Sequence, residues 1–234
     1  MVKPLLPSIR SKLRIRALLR QTILGHSMQR VFVRMYEQNS WANAESASGD
    51  GSDLTQTRTI RQELNKVIAD FGIRTLLDAP CGDFYWMKEV DRQGARYLGV
   101  DIVPKMIAVN ERLYGNATTS FAVLDIARDE LPRVDLIFCR DCLVHLPLQA
   151  AVNAMQGFVR SGSRYLLSTT YPGRVSRNRP LFITGNWRPL DLQLPPFSLP
   201  PPLRLINEGC TERDDYPEKS LGLWVLNGTT DTPN

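Results

Sequence analysis

The 234-residue sequence predicts a doubly wound α/β fold: a mostly parallel sheet with helices on both faces, an antiparallel closing pair and an N-terminal helical arm. Three observations carry that expectation. Short apolar runs alternate with helix-period segments from Thr55 to Thr170, the pattern of strand–helix–strand units. Four of those runs end in or beside an acid, at Asp78, Asp101, Asp125 and Asp141. The turn after the first run, Asp78-Ala79-Pro80-Cys81-Gly82-Asp83, is tight and small, and open α/β sheets bind ligands beyond the carboxyl ends of their strands.

The elements follow in order. Residues 8–24 place Ile9, Leu13 and Ala17 on one helical face, with arginines filling the gaps. Such a basic amphipathic helix can pack on its own domain, lie on an anionic membrane, bind a partner or serve as an organellar presequence. Residues 37–53 are small, polar and Gly-rich around Trp41, Glu45 and Ser46, and read as a loop able to fold over a site as a lid. Thr55–Phe71 is helical by its apolar spacing, with Gly72 as the stop. Strands are expected at Thr75–Asp78, Tyr97–Asp101, Ser120–Leu124, Val134–Cys139 and Tyr165–Thr170, with helices at Trp86–Val90, Met106–Tyr114 and Gln149–Val159. Residues 171–202 hold eight of the sixteen prolines, so they form a semi-rigid insertion crossing the surface. Leu203–Asn207 and Leu221–Leu226 read as a closing antiparallel pair. The organisation is thus a basic arm (1–36), one domain (37–228) and a tail (229–234).

Charge is unevenly placed. Residues 1–36 carry eight Lys/Arg and no acid, while the remaining 21 basic residues face all 24 acidic ones, a net −3. The body gives no electrostatic case for nucleic acid. No apolar run reaches the length of about 18 residues that a transmembrane helix needs. Four cysteines without a secretory leader point to a reducing, cytoplasmic setting.

The loop chemistry narrows the ligand. A dinucleotide site wants G-x-G-x-x-G and a P-loop wants G-x-x-x-x-G-K-[ST]. Here one glycine, Gly82, is followed by an acid, Asp83. An acid repels a pyrophosphate but accepts from an ammonium group.

These stretches resemble class I S-adenosylmethionine-dependent methyltransferases over roughly residues 54–228. The matching motifs are Leu77-Asp78-Ala79-Pro80-Cys81-Gly82-Asp83, Gly99-Val100-Asp101-Ile102, Leu124-Asp125-Ile126 and Asp135-Leu136-Ile137-Phe138-Cys139-Arg140-Asp141. The resemblance implies a Rossmann-like sheet and S-adenosyl-L-methionine as cofactor. It implies that the Asp78–Gly82 turn holds the methionine part and that Asp101 takes the ribose hydroxyls. Asp125 would accept from the adenine amino group, with Ile102 and Ile126 against the ring, and Cys139 and Arg140 would border the methionine end. Pro80 and Phe84 stand where the family's usual outer glycines do.

For the chemistry, Asp141 and His145 are the candidate bases, four residues apart past the fourth strand. Asp83 is a third, better suited to the cofactor ammonium. Trp86, Trp187 and Arg188 are candidates for an acceptor pocket, by stacking and by forked hydrogen bonds. Cys139-x-x-Cys142-x-x-His145 lacks the fourth ligand of a structural zinc site, so no metal is expected. The expected reaction is methyl transfer to a small-molecule or sugar hydroxyl. Methylation of RNA or protein through the basic arm, or a non-catalytic cofactor-binding role, are the alternatives.

Overall fold

The computed structural model describes residues 28–41, 44–181, 183–211 and 216–226. The amphipathic segment 8–24 and the tail 229–234 lie outside the described residues.

A seven-stranded sheet forms the body. Its strands are β1 (Thr75–Asp78), β2 (Arg96–Asp101), β3 (Thr119–Val123), β4 (Leu136–Cys139), β5 (Tyr165–Thr170), β6 (Arg204–Asn207) and β7 (Ser220–Val225). They lie in the order β3-β2-β1-β4-β5-β7-β6. β1 to β5 are mutually parallel, and β7 is antiparallel to both β5 and β6. The closing strand therefore slots in between β5 and β6 instead of ending the sheet.

Alternation along each strand sends neighbouring side chains to opposite faces, and the core divides accordingly. Leu77, Ile137 and Leu166 join one buried cluster, whereas Leu76, Leu136, Tyr165 and Leu167 join the other. The second face is covered by α2 (Arg58–Asp70), through Ile60, Leu64, Val67 and Ile68, and by Ile107 of α3 (Pro104–Tyr114). α4 (Leu148–Arg160) covers the first with Ala151, Ala154, Met155 and Phe158. A further helix, α1 (28–37), adds Met28 and Phe32 there. Gln29 Nε2 donates to the Ile102 carbonyl at 3.0 Å, tethering α1 to the end of β2.

Two segments depart from expectation. The helix expected over Trp86–Val90 is a single 3-10 turn, Met87–Glu89. Phe84 takes φ +61°, the left-handed conformation a glycine would supply. Its ring packs among Tyr97, Tyr114 and Phe121, which turns the chain inward before a helix can extend. The Pro-rich insertion, expected to cross the surface, forms turns and irregular backbone without helix or strand among its described residues, and it feeds the core. Leu190 and Leu192 are fully buried, and Trp224 Nε1 donates to the Pro200 carbonyl at 2.8 Å.

Candidate functional site

Above the carboxyl edge of β1, β2 and β4 lies a cavity of about 750 Å³, within the range of small-molecule sites. The strand-end acids Asp78, Asp101, Asp125 and Asp141 all line it, with Pro80, Cys81, Gly82, Asp83, Ile102, Ile126 and Arg140. His145, Trp86 and Trp187 line it too. Ala79, Cys139 and Arg188 do not.

The turn after β1 is pinned from both sides. Ala79 N–H donates to the Phe138 carbonyl and Cys81 N–H to the Val100 carbonyl, each at 2.8 Å. Cys139 is buried, and its carbonyl accepts from the Ser168 hydroxyl at 2.9 Å. Ala79 and Cys139 thus shape the sheet edge from beneath. Asp78 accepts from Tyr97 Oη at 2.6 Å. Burial raises the Asp78 carboxyl to about 8, against the pull of Tyr97. Burial likewise lifts Asp101 to about 6, although the N–H groups of Val103, Gly82 and Ile102 oppose it.

Asp125 shows a vacancy in its hydrogen bonding. Its Oδ1 accepts from Ala127 N–H at 3.0 Å, but the buried Oδ2 has no hydrogen bond, with Arg128 Nε 3.7 Å away. Burial raises this carboxyl as well. An orphaned acceptor at the end of β3 fits an exocyclic amine such as the adenine amino group. The charge of the cavity also suits a cation: seven aspartates line it, of which Asp78 is held protonated at neutral pH, and the others still outnumber its two cationic side chains, Arg140 and Lys219, which are engaged by carboxylates. The site therefore fits S-adenosylmethionine, which carries a sulfonium and an ammonium, and disfavours a pyrophosphate.

Asp83 has a role that its position in the sequence did not reveal. Its carboxylate accepts from the Ser46 hydroxyl at 2.9 Å, Ala47 N–H at 2.7 Å and the Ser48 hydroxyl at 3.3 Å. Ser48 Oγ in turn accepts from Asp83 N–H at 3.1 Å. Gly82, at φ +55°, faces Ser48 so closely that a Cβ would collide with its hydroxyl. The loop at 47–53 is thereby laid over the turn and walls the cavity.

The far end of the cavity is aromatic and ionic. Trp187 packs 4.5 Å from Tyr216 and edge-on to Tyr171 at 5.6 Å. Trp86 packs edge-on to Phe138, with the Arg140 guanidinium 5.8 Å from its ring. Behind them is a buried four-charge cluster. Arg140 donates to Glu208 at 2.8 Å, and Lys219 donates to Asp141 at 2.7 Å. Glu208 and Lys219 escaped notice in the sequence; the only local hint is a charge abutting an apolar strand.

Asp141 and His145 share the cavity wall but differ in kind. Burial would raise the Asp141 carboxyl, yet Lys219 and Arg140 outweigh it and hold it at about 2. So low a proton affinity makes Asp141 a standing carboxylate and a poor base. His145 closes the 3-10 turn Leu143–His145, its Nδ1 3.0 Å from the Asn186 carbonyl. A carbonyl can only accept, so Nδ1 carries the hydrogen and Nε2 keeps its lone pair. Burial lowers the imidazole below its ordinary value, against the pull of Asp141. Trp41 stands edge-on to this ring at 6.4 Å.

Arg188 corrects an expectation. Its guanidinium donates to the carbonyls of Arg179 at 2.7 Å, Val144 at 2.9 Å and Leu143 at 3.2 Å. It ties the insertion to the His145 turn and offers no fork to an acceptor.

Among the described residues, no helix is long and apolar enough to cross a membrane, and no group of three His, Cys, Asp or Glu side chains could hold a metal ion.

Comparison with known proteins agrees with this geometry. Residues 76–162 match the model of a family described as a methyltransferase domain. A ubiquinone biosynthesis O-methyltransferase of Xylella fastidiosa (strain M23) is 31% identical over 113 residues, 45% of each chain. The chain spans about half the length of the curated relatives it matches. The N-methyltransferase NodS from Bradyrhizobium japonicum WM9 superposes with a TM-score of 0.56 at 14% identity, covering 74% of this chain and 97% of that one. The methyltransferase domain of bacterial CtHen1-C gives 0.53 at 14% identity, covering 75% and 100%. These two structures share the fold.

Proposed function

We propose, for a chain that carries a class I S-adenosylmethionine-dependent methyltransferase domain, that its reaction is O-methylation of a small hydroxylated molecule. The observation that carries this reading is the state of His145: a neutral ring on the cavity wall, Nδ1 directed to the Asn186 carbonyl and Nε2 free of any hydrogen bond within the described residues. A hydroxyl must lose a proton as it gains a methyl group, so a base is useful for oxygen acceptors in a way it is not for a thioether or a free amine.

Bound S-adenosylmethionine supplies the methyl group and takes back the electron pair of the broken carbon–sulfur bond. The chain's own residues do the rest. Asp101 and Asp125 hold the nucleoside part, and the Asp78–Gly82 turn holds the methionine part. The loop at 47–53 covers them and excludes water. His145 Nε2 receives the acceptor's proton, and the aromatic wall of Trp187, Tyr171 and Tyr216 aligns the acceptor for in-line transfer. The aromatic lining and the cavity volume of about 750 Å³ suit a small molecule. The activity printed for the Xylella relative, O-methylation in ubiquinone biosynthesis, is of the same kind.

The test is incubation with methyl-labelled S-adenosylmethionine and a fractionated cell extract. Label is expected in a low-molecular-weight fraction, as an alkali-stable ether. On the purified acceptor, kcat/KM should fall below a limb lying under pH 6.5, because burial lowers the base. His145→Ala should cost about 10²–10⁴-fold and erase that limb. Label recovered in protein or RNA would overturn the reading.

A further inference from the structure

His145 does not hold its own ring. It ends the 3-10 turn Leu143–His145, and carbonyls at the end of a helical turn find no partner within it. The Pro-rich insertion supplies the partners. Gly185 N–H donates to the His145 carbonyl at 3.0 Å, and Arg188 N–H to the Val144 carbonyl at 3.2 Å. Between those two bonds along the insertion, the Asn186 carbonyl meets His145 Nδ1 at 3.0 Å. Residues 185–188 thus run beside the turn as a strap, and the imidazole is bonded to the strap.

Arg188 fastens it. The residue is only 7% exposed, and its Nη1 donates back to the Leu143 and Val144 carbonyls at 3.2 and 2.9 Å. Its Nε donates to the Arg179 carbonyl at 2.7 Å, joining the incoming limb of the insertion to the outgoing one. Burial lowers the guanidinium to about 10, which leaves it charged at neutral pH. A buried cation is costly unless its hydrogen bonds are met. Here main-chain carbonyls meet them, and Nη2 has no partner among the described residues. What a planar guanidinium offers over an apolar filler is a set of directed donors that pins two chain segments to one another. The strap is also backed by α1: at Gly185, φ +87°, a Cβ would stand 2.5 Å from Met35 Sδ.

We propose that Arg188 is a positioning residue for His145: by clamping residues 185–188 to the turn Leu143–His145, it keeps the Asn186 carbonyl on Nδ1 and so leaves Nε2 with the free lone pair. Arg188 then acts on the reaction without joining the cavity wall. The inference rests on the reading of His145 as the base and adds what sets its tautomer. An imidazole released from the carbonyl can carry its hydrogen on either nitrogen, and the form with hydrogen on Nε2 cannot take a proton there. Two charged groups also face the ring: Asp141 after β4 raises its proton affinity, and Lys219 before β7 lowers it. Both are kept in every variant below.

His26 and His145 are the only histidines of the chain, so the ring can be read without knowing the acceptor. The experiment is heteronuclear NMR of the full chain carrying isotope-labelled histidine, titrated in pH, with His26→Gln to assign the His145 signals. The wild-type ring should carry its hydrogen on Nδ1 and titrate below 6.5, because burial disfavours its charged form. In Arg188→Leu, the two tautomers should mix and the midpoint should move up towards 6.5 as the ring gains water. Arg188→Lys, which keeps the charge and loses the fork, should fall between. Ile206→Ala, a truncation in the core on the opposite face of the sheet, should lower the unfolding midpoint and leave the His145 signals in place, which separates positioning from general loosening. A folded Arg188→Leu protein with the wild-type tautomer and midpoint overturns the inference. If that variant does not fold, Arg188→Lys decides, a partial shift supporting the inference and an unmoved signal overturning it. A wild-type ring protonated on Nε2 overturns both this inference and the reading of His145 as the base. Full activity of His145→Ala would remove that reading alone, since the shift on changing Arg188 is measured on the ring itself.

Discussion

The Asp83 carboxylate lies 2.9 Å from the Ser46 hydroxyl, joining the turn after β1 to a loop 37 residues earlier. With Ala47 N–H at 2.7 Å on the same oxygen, this one side chain fastens the loop to the turn after β1. Asp83→Ala should release the latch. The expected outcome is faster dissociation of S-adenosylmethionine, by about tenfold or more given the strength of hydrogen bonds to a charged group. Ser46→Ala should show a smaller effect in the same direction. Stopped-flow displacement measures both, and an unchanged rate would mean the lid is held by other contacts.

Asp101 offers a direct check on the cofactor's pose. Asp101→Ala should weaken S-adenosylmethionine binding by roughly 1.5–3 kcal/mol, the range for lost charge-assisted hydrogen bonds. Titration calorimetry at fixed pH reads it. Equal affinity in the variant would take Asp101 away from the ribose.

Asp78 makes stability depend on pH. Its carboxyl rises from an ordinary 3.8 to about 8 on folding, chiefly through burial. The folded chain then binds a proton that the unfolded chain releases, so this contribution is full below pH 4 and is lost as pH rises to about 8. Asp78→Asn mimics the protonated form and keeps an acceptor for Tyr97 Oη. Urea unfolding without cofactor should show a flatter decline between pH 5 and pH 8.5 in the variant. Parallel profiles would refute the assignment.

Arg188 should behave as a strut. Arg188→Leu removes three hydrogen bonds from the guanidinium to main-chain carbonyls, of which the Leu143 and Val144 carbonyls keep a backbone donor, and should cost on the order of 2 kcal/mol in unfolding free energy. Arg188→Lys keeps the charge without the fork and should recover only part of it. An unfolding midpoint unmoved by Arg188→Leu would contradict the role.

The strands and the acids that terminate them were legible because their signals are local. Thr75–Asp78 and Tyr165–Thr170 fall where the apolar runs place them, and a residue that ends a strand must stand at its edge. Asp78, Asp101 and Asp125 therefore meet at one cavity by topology alone. The expected helix at Trp86–Val90 failed because the left-handed turn at Phe84 and its aromatic packing are not written in periodicity.

What the sequence by itself determined is the sheet, its ligand-binding edge and the acidic character of the site, since apolar spacing and strand length decide them over a few residues. What only the tertiary structure decided is the division of labour among the polar side chains. Asp83 turns to the lid, Asp141 to Lys219 across 78 residues, Arg140 to Glu208 across 68, and Arg188 to main-chain carbonyls. A buried charge must find a partner or leave the interior, and which partner it finds depends on where the folded chain brings distant segments together.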